Sequence, residues 1–364
     1  MKFKILKTDL LKTLNKIIGP TLTKQNFPIL NSVLISAKKE LTFITTDLDT
    51  TIINKRSADI SEEGDVVVPM KNFFSIIKEL PNEEITITKI KNNLSISCEN
   101  VEFKITTLSL EDFPKTDKLK SAVLISIKPE DFEEMIRMTA FCVGTDDVNY
   151  VLNGVLFEIE KNNITMVSTD GKRLAYIKRE LPEKQSPLNE KISTIIPVKG
   201  VIEVYKLIKE YSGDFFLSII DNKICFCIED TQFFTRPIEG EFPDYLQYIP
   251  TESNETLSIN RADFMGSLKR AALLTTPEYQ GVKLDIKKDK VIVSKSTPQM
   301  GDIKETIKCE YQGNGITIGF NPVFLIDVMK NIEEESVKIM FYGADKPAVL
   351  KKDSYIYLVL PMKI

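Results

Sequence analysis

A chain of 364 residues exceeds one ordinary domain, and 43% hydrophobic with 27% charged residues is the make-up of a soluble globular protein, not of a disordered or fibrous one. The formal net charge of −4 gives no bulk attraction to phosphate, so any nucleic-acid contact has to come from a local basic surface. Histidine is absent, which excludes Ser-His-Asp and Cys-His catalysis, HExxH metallohydrolases and imidazole-held metals together.

The N-terminus, MKFKILKTDLLKTL, is charged throughout and lacks the apolar centre of a signal peptide. No apolar run reaches the roughly 18–20 residues of a membrane span, so a cytoplasmic protein without a membrane partner is expected. After a first strand, Leu10, Leu11, Leu14, Ile17 and Ile18 recur at helical spacing, with Thr8-Asp9 as the expected start. FPILNSVLISAKKELTFITTDLDTTI (27–52) reads as strands, and Phe73, Phe74, Ile77 and Leu80 mark a second helix. Leu94, Ile96 and Cys98, then Val101, Phe103 and Ile105, alternate as strands do.

The same order then returns. NYVLNGVLFEIEKNNITMVSTDGKRLAYI (149–177) repeats the 27–52 block, with Asn153 matching Asn31 and Thr169-Asp170 matching Thr46-Asp47. EYQGVKLDIKKDKVIVSKSTPQMG, from Glu278, is a weaker third copy. Helix starts recur at Pro129-Glu130 and Asn260-Arg261, and each copy closes towards a proline: Pro114, Pro243 and Pro361. The expected fold class is α+β: three repeated domains over 1–120, 121–250 and 251–364, each with two helices and two antiparallel sheets. Polar linkers are expected at 115–122 and 244–255. Three such units in series suggest a curved array that a second copy could close by heterologous contacts.

Cys98, Cys142, Cys225, Cys227 and Cys309 are odd in number and form no CxxC pair, so buried reduced thiols are expected, with no metal site and no cofactor. No GxxxxGK[ST], GxGxxG or GxSxG motif occurs. STDGKRLAYIKR (168–179) has the look of a site. An enzyme using Asp170, Lys172 and Arg173 with Asp47 and Asp49 is one reading, and a three-repeat scaffold another. Asp47-Leu48-Asp49 and Asp170-Gly171-Lys172 occupy equivalent places with different chemistry, which argues against one repeated catalytic site. Because Leu48 stands where Gly171 does, the shared backbone is expected to avoid positive φ. A kinked or bulged strand is expected there, with Gly171 acting as clearance for a partner's backbone.

With LLKTL, FPILNSVL, TTDLDTTI, VPMKNFF, YVLNGVLFE, STDGKRLA, GEFPDY, IGFNPVFLIDV and LVLPMKI in that order, the sequence resembles the bacterial DNA polymerase III β subunits, the sliding clamps. The resemblance implies a non-catalytic, head-to-tail homodimeric ring. Such a ring surrounds duplex DNA without reading sequence and tethers the replicative polymerase subunit, a clamp loader and other proteins carrying a clamp-binding motif. It also implies a client-peptide pocket built from Val151, Leu152, Thr169, Gly171, Lys172, Arg173, Leu174, Pro243, Asn321, Phe324, Pro347, Leu358, Leu360 and Met362. Departures at Lys172, Gln247 and Tyr248 imply a shifted client preference. Implied DNA contacts are Lys24, Lys12, Lys71, Lys78, Lys199, Lys206, Lys269 and Arg270, with Lys16, Arg137, Lys209 and Lys330 as further helix cations. The implied dimer contact places Phe103 and Ile105 against Leu273 and Leu274.

Overall fold

The computed structural model describes residues 1–22, 27–116, 125–145, 148–160, 162–181, 191–209, 211, 213, 215–220, 223–250, 253 and 255–363. Lys24, residues 117–122 of the first expected linker, and residues 251, 252 and 254 of the second lie outside them. The first repeat runs β1 (Lys2–Leu6), α1 (Lys7–Ile17), β2 (Ser32–Ala37), β3 (Leu41–Thr46), β4 (Thr50–Arg56), β5 (Asp59–Glu62), β6 (Gly64–Pro69), α2 (Met70–Glu79), β7 (Glu84–Ile90), β8 (Asn93–Cys98) and β9 (Val101–Thr106). The second runs β10 (Ile125–Ile127), α3 (Pro129–Thr139), β11 (Gly154–Glu160), β12 (Asn163–Thr169), β13 (Arg173–Glu180), β14 (Ile192–Pro197), α4 (Val198–Ile208), β15 (Phe215–Ile220), β16 (Lys223–Ile228) and β17 (Thr231–Thr235). The third runs β18 (Glu255–Asn260), α5 (Arg261–Ala272), β19 (Val282–Lys287), β20 (Lys290–Thr297), β21 (Gly301–Gln312), β22 (Ile316–Phe320), α6 (Pro322–Asn331), β23 (Ser336–Phe341), β24 (Ala348–Lys352) and β25 (Tyr355–Val359).

The helix spacing read from the sequence buries one stripe in each repeat. Leu10, Thr13, Leu14 and Ile17 of α1 match Phe132, Met135, Ile136 and Thr139 of α3, and Phe264, Ser267, Leu268 and Ala271 of α5, all buried. Asn260 caps α5 by accepting the Asp263 N–H at 3.0 Å, as its position predicted. α1 differs: it opens at Lys7, one residue before Thr8-Asp9, because β1 runs straight into it. The Lys7 N–H finds its partner in the Glu83 carbonyl at 3.1 Å instead of in a side-chain cap.

The sheets do not stop at repeat boundaries. β17 pairs with β4 (Thr231 with Asn54, Phe233 with Ile52, Thr235 with Thr50), and β25 pairs with β13 (Tyr355 with Ile177, Tyr357 with Ala175, Val359 with Arg173). In each case the last hairpin of one repeat extends a sheet of the repeat before it. The compact units therefore cut through the central repeat: 1–130 goes with 199–237, and 131–198 goes with 238–364. β9, the counterpart of β17 and β25, closes its sheet as an edge with β8 as its one neighbour. In β21, the counterpart of β4 and β13, residues 301–308 pair with β20 alone, because β18 reaches only Cys309 to Gln312.

Candidate functional site

The site begins at the turn between β12 and β13. Thr169 Oγ1 donates to the Arg173 carbonyl at 2.6 Å and accepts the Gly171 N–H at 3.0 Å. Asp170 Oδ1 accepts the N–H groups of Lys172 (2.9 Å) and Arg173 (3.0 Å). The first repeat builds the same turn. Thr46 Oγ1 donates to the Thr50 carbonyl and accepts the Leu48 N–H, and Asp47 Oδ1 accepts the Thr50 N–H. The Thr-Asp pair thus shapes a turn in both repeats, with short polar side chains satisfying its amides. This corrects the expectation of a kinked strand without positive φ, since Leu48 and Gly171 both sit at φ 80°. Leu48 is held there by its neighbours' hydrogen bonds despite carrying a Cβ. A Cβ added at Gly171 would meet nothing within 4 Å, so the glycine is explained by its φ and not by crowding within the chain.

Arg173 leaves this turn and is buried to 9% exposure. Its guanidinium donates to Asp170 Oδ2 (3.0 Å), Asp327 Oδ2 on α6 (2.8 Å) and the Phe141 carbonyl (2.8 Å), and lies over the Phe324 ring at 4.5 Å. Burial disfavours the charged form, but the Asp327 hydrogen bond and the charge interactions of its other neighbours, Asp170 among them, together outweigh it, and the group's affinity for its proton rises. Burial likewise pushes the neighbouring Cys142 thiol up, which leaves it protonated and inert. The Asp170-Lys172-Arg173 constellation is thereby accounted for structurally, with its carboxylate saturated by amides and a guanidinium.

Next to the turn, Leu174 and Leu358 face each other across the β13–β25 ladder, each 4% exposed. They join Leu156, Val167, Ile195, Tyr245 and Val349 in one apolar cluster, with Val151, Tyr176, Met340 and Ile356 packed against it. Leu152 and Thr169 are also buried, whereas Gly171, Lys172, Pro243 and Leu360 are open. Leu360 is fastened beside the turn by its N–H to the Lys172 carbonyl at 2.9 Å, and its side chain stays 40% exposed. Leu246 (62%) and Tyr248 (59%) are exposed on either side of Gln247. The result is an apolar floor with exposed leucine and aromatic side chains near it, the surface chemistry of a peptide-anchor site.

Of the remaining expected pocket residues, Phe324 joins Arg173, and its carbonyl accepts from Tyr357 Oη at 2.7 Å. Asn321 caps α6 by accepting the Val323 N–H at 3.0 Å, and Pro347 is half-buried ahead of β24. Met362 pairs with Gly319 and lines a cavity of about 500 Å³ with Tyr279, Lys283 and Lys295, so its neighbours differ from those of Leu174. Asp327, Phe141, Val349 and Met340 escaped the sequence reading. Arg173 and Asp327 stand 154 positions apart, and only the fold pairs them.

The expected DNA-contacting cations divide in two. Lys12, Lys71, Lys78 and Lys269 are exposed and have no ion pair among the described residues. Lys199 is ion-paired with buried Asp47, Lys206 with Glu203 at 2.7 Å, and Arg270 with Glu305 at 2.5 Å. Cys225 and Cys227 share a face of β16 with their sulfurs 3.7 Å apart. Among the described residues, no group of three or more Cys, Asp or Glu could hold a metal ion.

The chain matches the DNA polymerase III beta subunit families along its length: the N-terminal domain over residues 1–117, the central domain over 126–244 and the C-terminal domain over 246–363. It is 30% identical over 367 residues to the beta sliding clamp of Chlamydia pneumoniae, covering 100% of this chain and 99% of that one. It is 31% identical over 353 residues to the beta sliding clamp of Rickettsia bellii, covering 92% of each. Among solved structures, the DNA polymerase sliding clamp from Pseudomonas aeruginosa with ligand superposes with a TM-score of 0.94 at 27% identity over 100% of both chains. The sliding clamp of that organism bound to griselimycin matches with a TM-score of 0.94 at 28% identity, again over 100% of both chains.

Proposed function

Since this chain belongs to the DNA polymerase III beta subunit family, the sliding clamps that serve processive replication, we propose that two copies close head to tail around duplex DNA and carry client proteins on the Leu174–Leu358 surface. Processivity then comes from topology without intrinsic catalysis: a tethered polymerase stays at high effective concentration near the primer end and rebinds after each dissociation. The replicative polymerase subunit, the clamp loader and other motif-bearing clients share one docking mode, an extended peptide with apolar anchors. Such a ring works with the chromosome in the cytoplasm.

The observation that carries the head-to-tail reading is repetition of one junction. Phe233 and Tyr357 are 0% and 1% exposed where β17 and β25 meet the preceding repeat, while their counterpart Phe103 on β9 is 39% exposed. In the second junction the Tyr357 ring lies 5.9 Å from Phe141. The residue matching Phe141 in the third repeat is Leu273, which is 76% exposed. A second copy that laid β9 along residues 301–305 of β21 would repeat the junction, pairing Val101 with Glu305 and Phe103 with Ile303. It would cover Phe103, Ile105, Leu273 and Leu274 and remove two open strand edges.

Loading the protein onto nicked circular DNA and then linearising it tests the reading. Retention on the circle with loss from the linear form is expected, and equal loss from both would sink it. In the same assay Phe103→Ala with Leu273→Ala should abolish retention and yield monomers.

A further inference from the structure

One face of the β19–β20–β21 sheet departs from its counterparts in the other repeats. Strand register gives the equivalent places. Leu34, Leu156 and Lys283 correspond on the first strand of each sheet, Ile44, Val167 and Ser294 on the second, and Ile53, Tyr176 and Lys304 on the third. In the first two repeats these side chains belong to or pack against apolar clusters that take in the hairpin of the following repeat. In the third, Ser294 lies between Lys283 and Lys304 across three adjacent strands, and Asp302 holds the place of Leu174. The ground that is apolar twice is charged the third time.

This face borders the cavity of about 500 Å³ lined by Met362, where Lys283, Lys295, Lys304 and Lys363 stand against two acids, Glu278 and Asp302. Lys304 and Lys363 are exposed and have no ion pair among the described residues, while Lys283 has Asp285 at 3.4 Å. Lys295 is 9% exposed and replaces Thr45 and Ser168, whose hydroxyls donate to the carbonyls of Ile17 and Thr139. Its Nζ donates to the carbonyls of Tyr279 at 2.7 Å and Gly281 at 2.8 Å, so among the described residues its charge is buried without a carboxylate partner. A cation withdrawn from water without a counter-ion favours an anion that can reach it. A neighbouring cavity of about 660 Å³ shares Lys304 and adds Lys287 and Lys288 against Asp285. Together the two cavities are lined by six lysines and three acids.

We propose that this tract docks an extended acidic segment of a client protein beside the apolar anchor surface. The inference extends the client docking proposed above, but every residue it needs belongs to one chain. Leu360 and Met362 are two residues apart, so the tract starts within about 7 Å of chain from the leucine beside the β13 turn. A client anchored on Leu174 and Leu358 can run its flanking residues onto the lysines. Lysine meets a carboxylate as a point charge without fixing one geometry, which suits a segment recognised by its charge. Single-stranded nucleic acid fits less well, because bases need aromatic platforms, and among the described residues Tyr279 is the one aromatic side chain lining the two cavities. In the strand pairing proposed between two copies, the partner's Lys104 would face Asp302 and the partner's Glu102 would face Lys304, which leaves the net charge of the tract unchanged.

Fluorescence anisotropy with a labelled hexaglutamate peptide tests the proposal. Binding to the native chain is expected at low salt and should weaken as salt rises. Lys283→Glu with Lys304→Glu should weaken it about tenfold, as two surface ion pairs give way to repulsion. Lys38→Glu with Lys39→Glu, exposed in the β2–β3 turn, changes the net charge equally and should leave the affinity within about twofold. A native chain that does not bind hexaglutamate, or equal loss in the two double variants, overturns the tract. Hexathymidylate bound more tightly than hexaglutamate, with the same dependence on Lys283 and Lys304, overturns the peptide reading in favour of single-stranded DNA. The probe carries no apolar anchor, so its failure leaves the anchor surface and the ring standing. Equal loss from circular and linear DNA, conversely, leaves the hexaglutamate result standing.

Discussion

Arg173→Ala tests how the β13 turn is held. The native guanidinium makes two carboxylate contacts, at 3.0 Å to Asp170 and 2.8 Å to Asp327, and one carbonyl contact at 2.8 Å, with its side chain 10% exposed. Truncation leaves both carboxylates partly buried, at 19% and 22% exposure. Removing one partner of a buried pair costs about 3–5 kcal/mol. The low end applies here, because Asp170 keeps its two amide donors and Asp327 keeps Lys330 at 3.8 Å. A loss of about 3 kcal/mol is a factor of roughly 100 in an equilibrium constant. The readout is native-state amide exchange along the β13–β25 ladder, where Leu174 faces Leu358 and Tyr176 faces Ile356. Arg173→Lys, which keeps the charge and loses the fork, should fall between native and Ala. Removing the acid and the base together, Arg173→Met with Asp327→Asn, should recover part of the loss. Exchange in Arg173→Ala within fivefold of native would refute the assignment of Arg173 as the tie between this turn and α6.

Gly171→Ala should destabilise by about 1 kcal/mol despite the open space around it, and Leu48→Gly should stabilise by a similar amount, both read as shifts in thermal midpoint. A stabilised Gly171→Ala or a destabilised Leu48→Gly would show that packing, not φ, decides them. Among the lysines, Lys12→Ala, Lys71→Ala, Lys78→Ala and Lys269→Ala should each lower the salt dependence of duplex binding by about 0.9 in log–log slope for every phosphate left without its cation. Lys199→Ala should instead act on stability by stranding buried Asp47, seen as a lower thermal midpoint with little change in salt slope. The Arg270 hydrogen bond holds the Glu305 carboxyl below its ordinary value of 4.5, so its contribution is complete above that pH and is lost as pH falls through the lowered value. Glu305→Gln should remove that part of the acid sensitivity and leave stability at neutral pH lower than native.

Much of this architecture is written in local periodicity. The stripe Leu10, Leu14, Ile17 and its counterparts 132, 136, 139 and 264, 268, 271 announce equivalent helices, and the Thr-Asp pairs mark equivalent turns. The leucines of the candidate site were legible as apolar strand positions, but periodicity alone could not separate Leu174 and Leu358, which are buried, from Leu360, which stays open. The turn geometry is not legible from residue type, because a leucine disfavours the positive φ that Leu48 adopts. The hydrogen bonds from Thr46 and Asp47 that impose it are invisible to residue propensity. Contacts across repeats, such as Arg173 with Asp327 or Arg56 with Asp230, depend on strand pairing between distant segments and carry no signature in local spacing.

The β13–β25 ladder has a thermodynamic consequence for anything that docks on it. Leu174 and Leu358 belong to different repeats, so a molecule gripping both can bind only while the two strands remain paired. Binding and strand separation are then mutually exclusive, and by mass action a ligand at 100 times its dissociation constant opposes separation by about 2.7 kcal/mol. Every occupant of this surface therefore staples the seam beneath it, and a compound selected only for affinity would raise the melting temperature of the segment carrying residues 131–198 and 238–364.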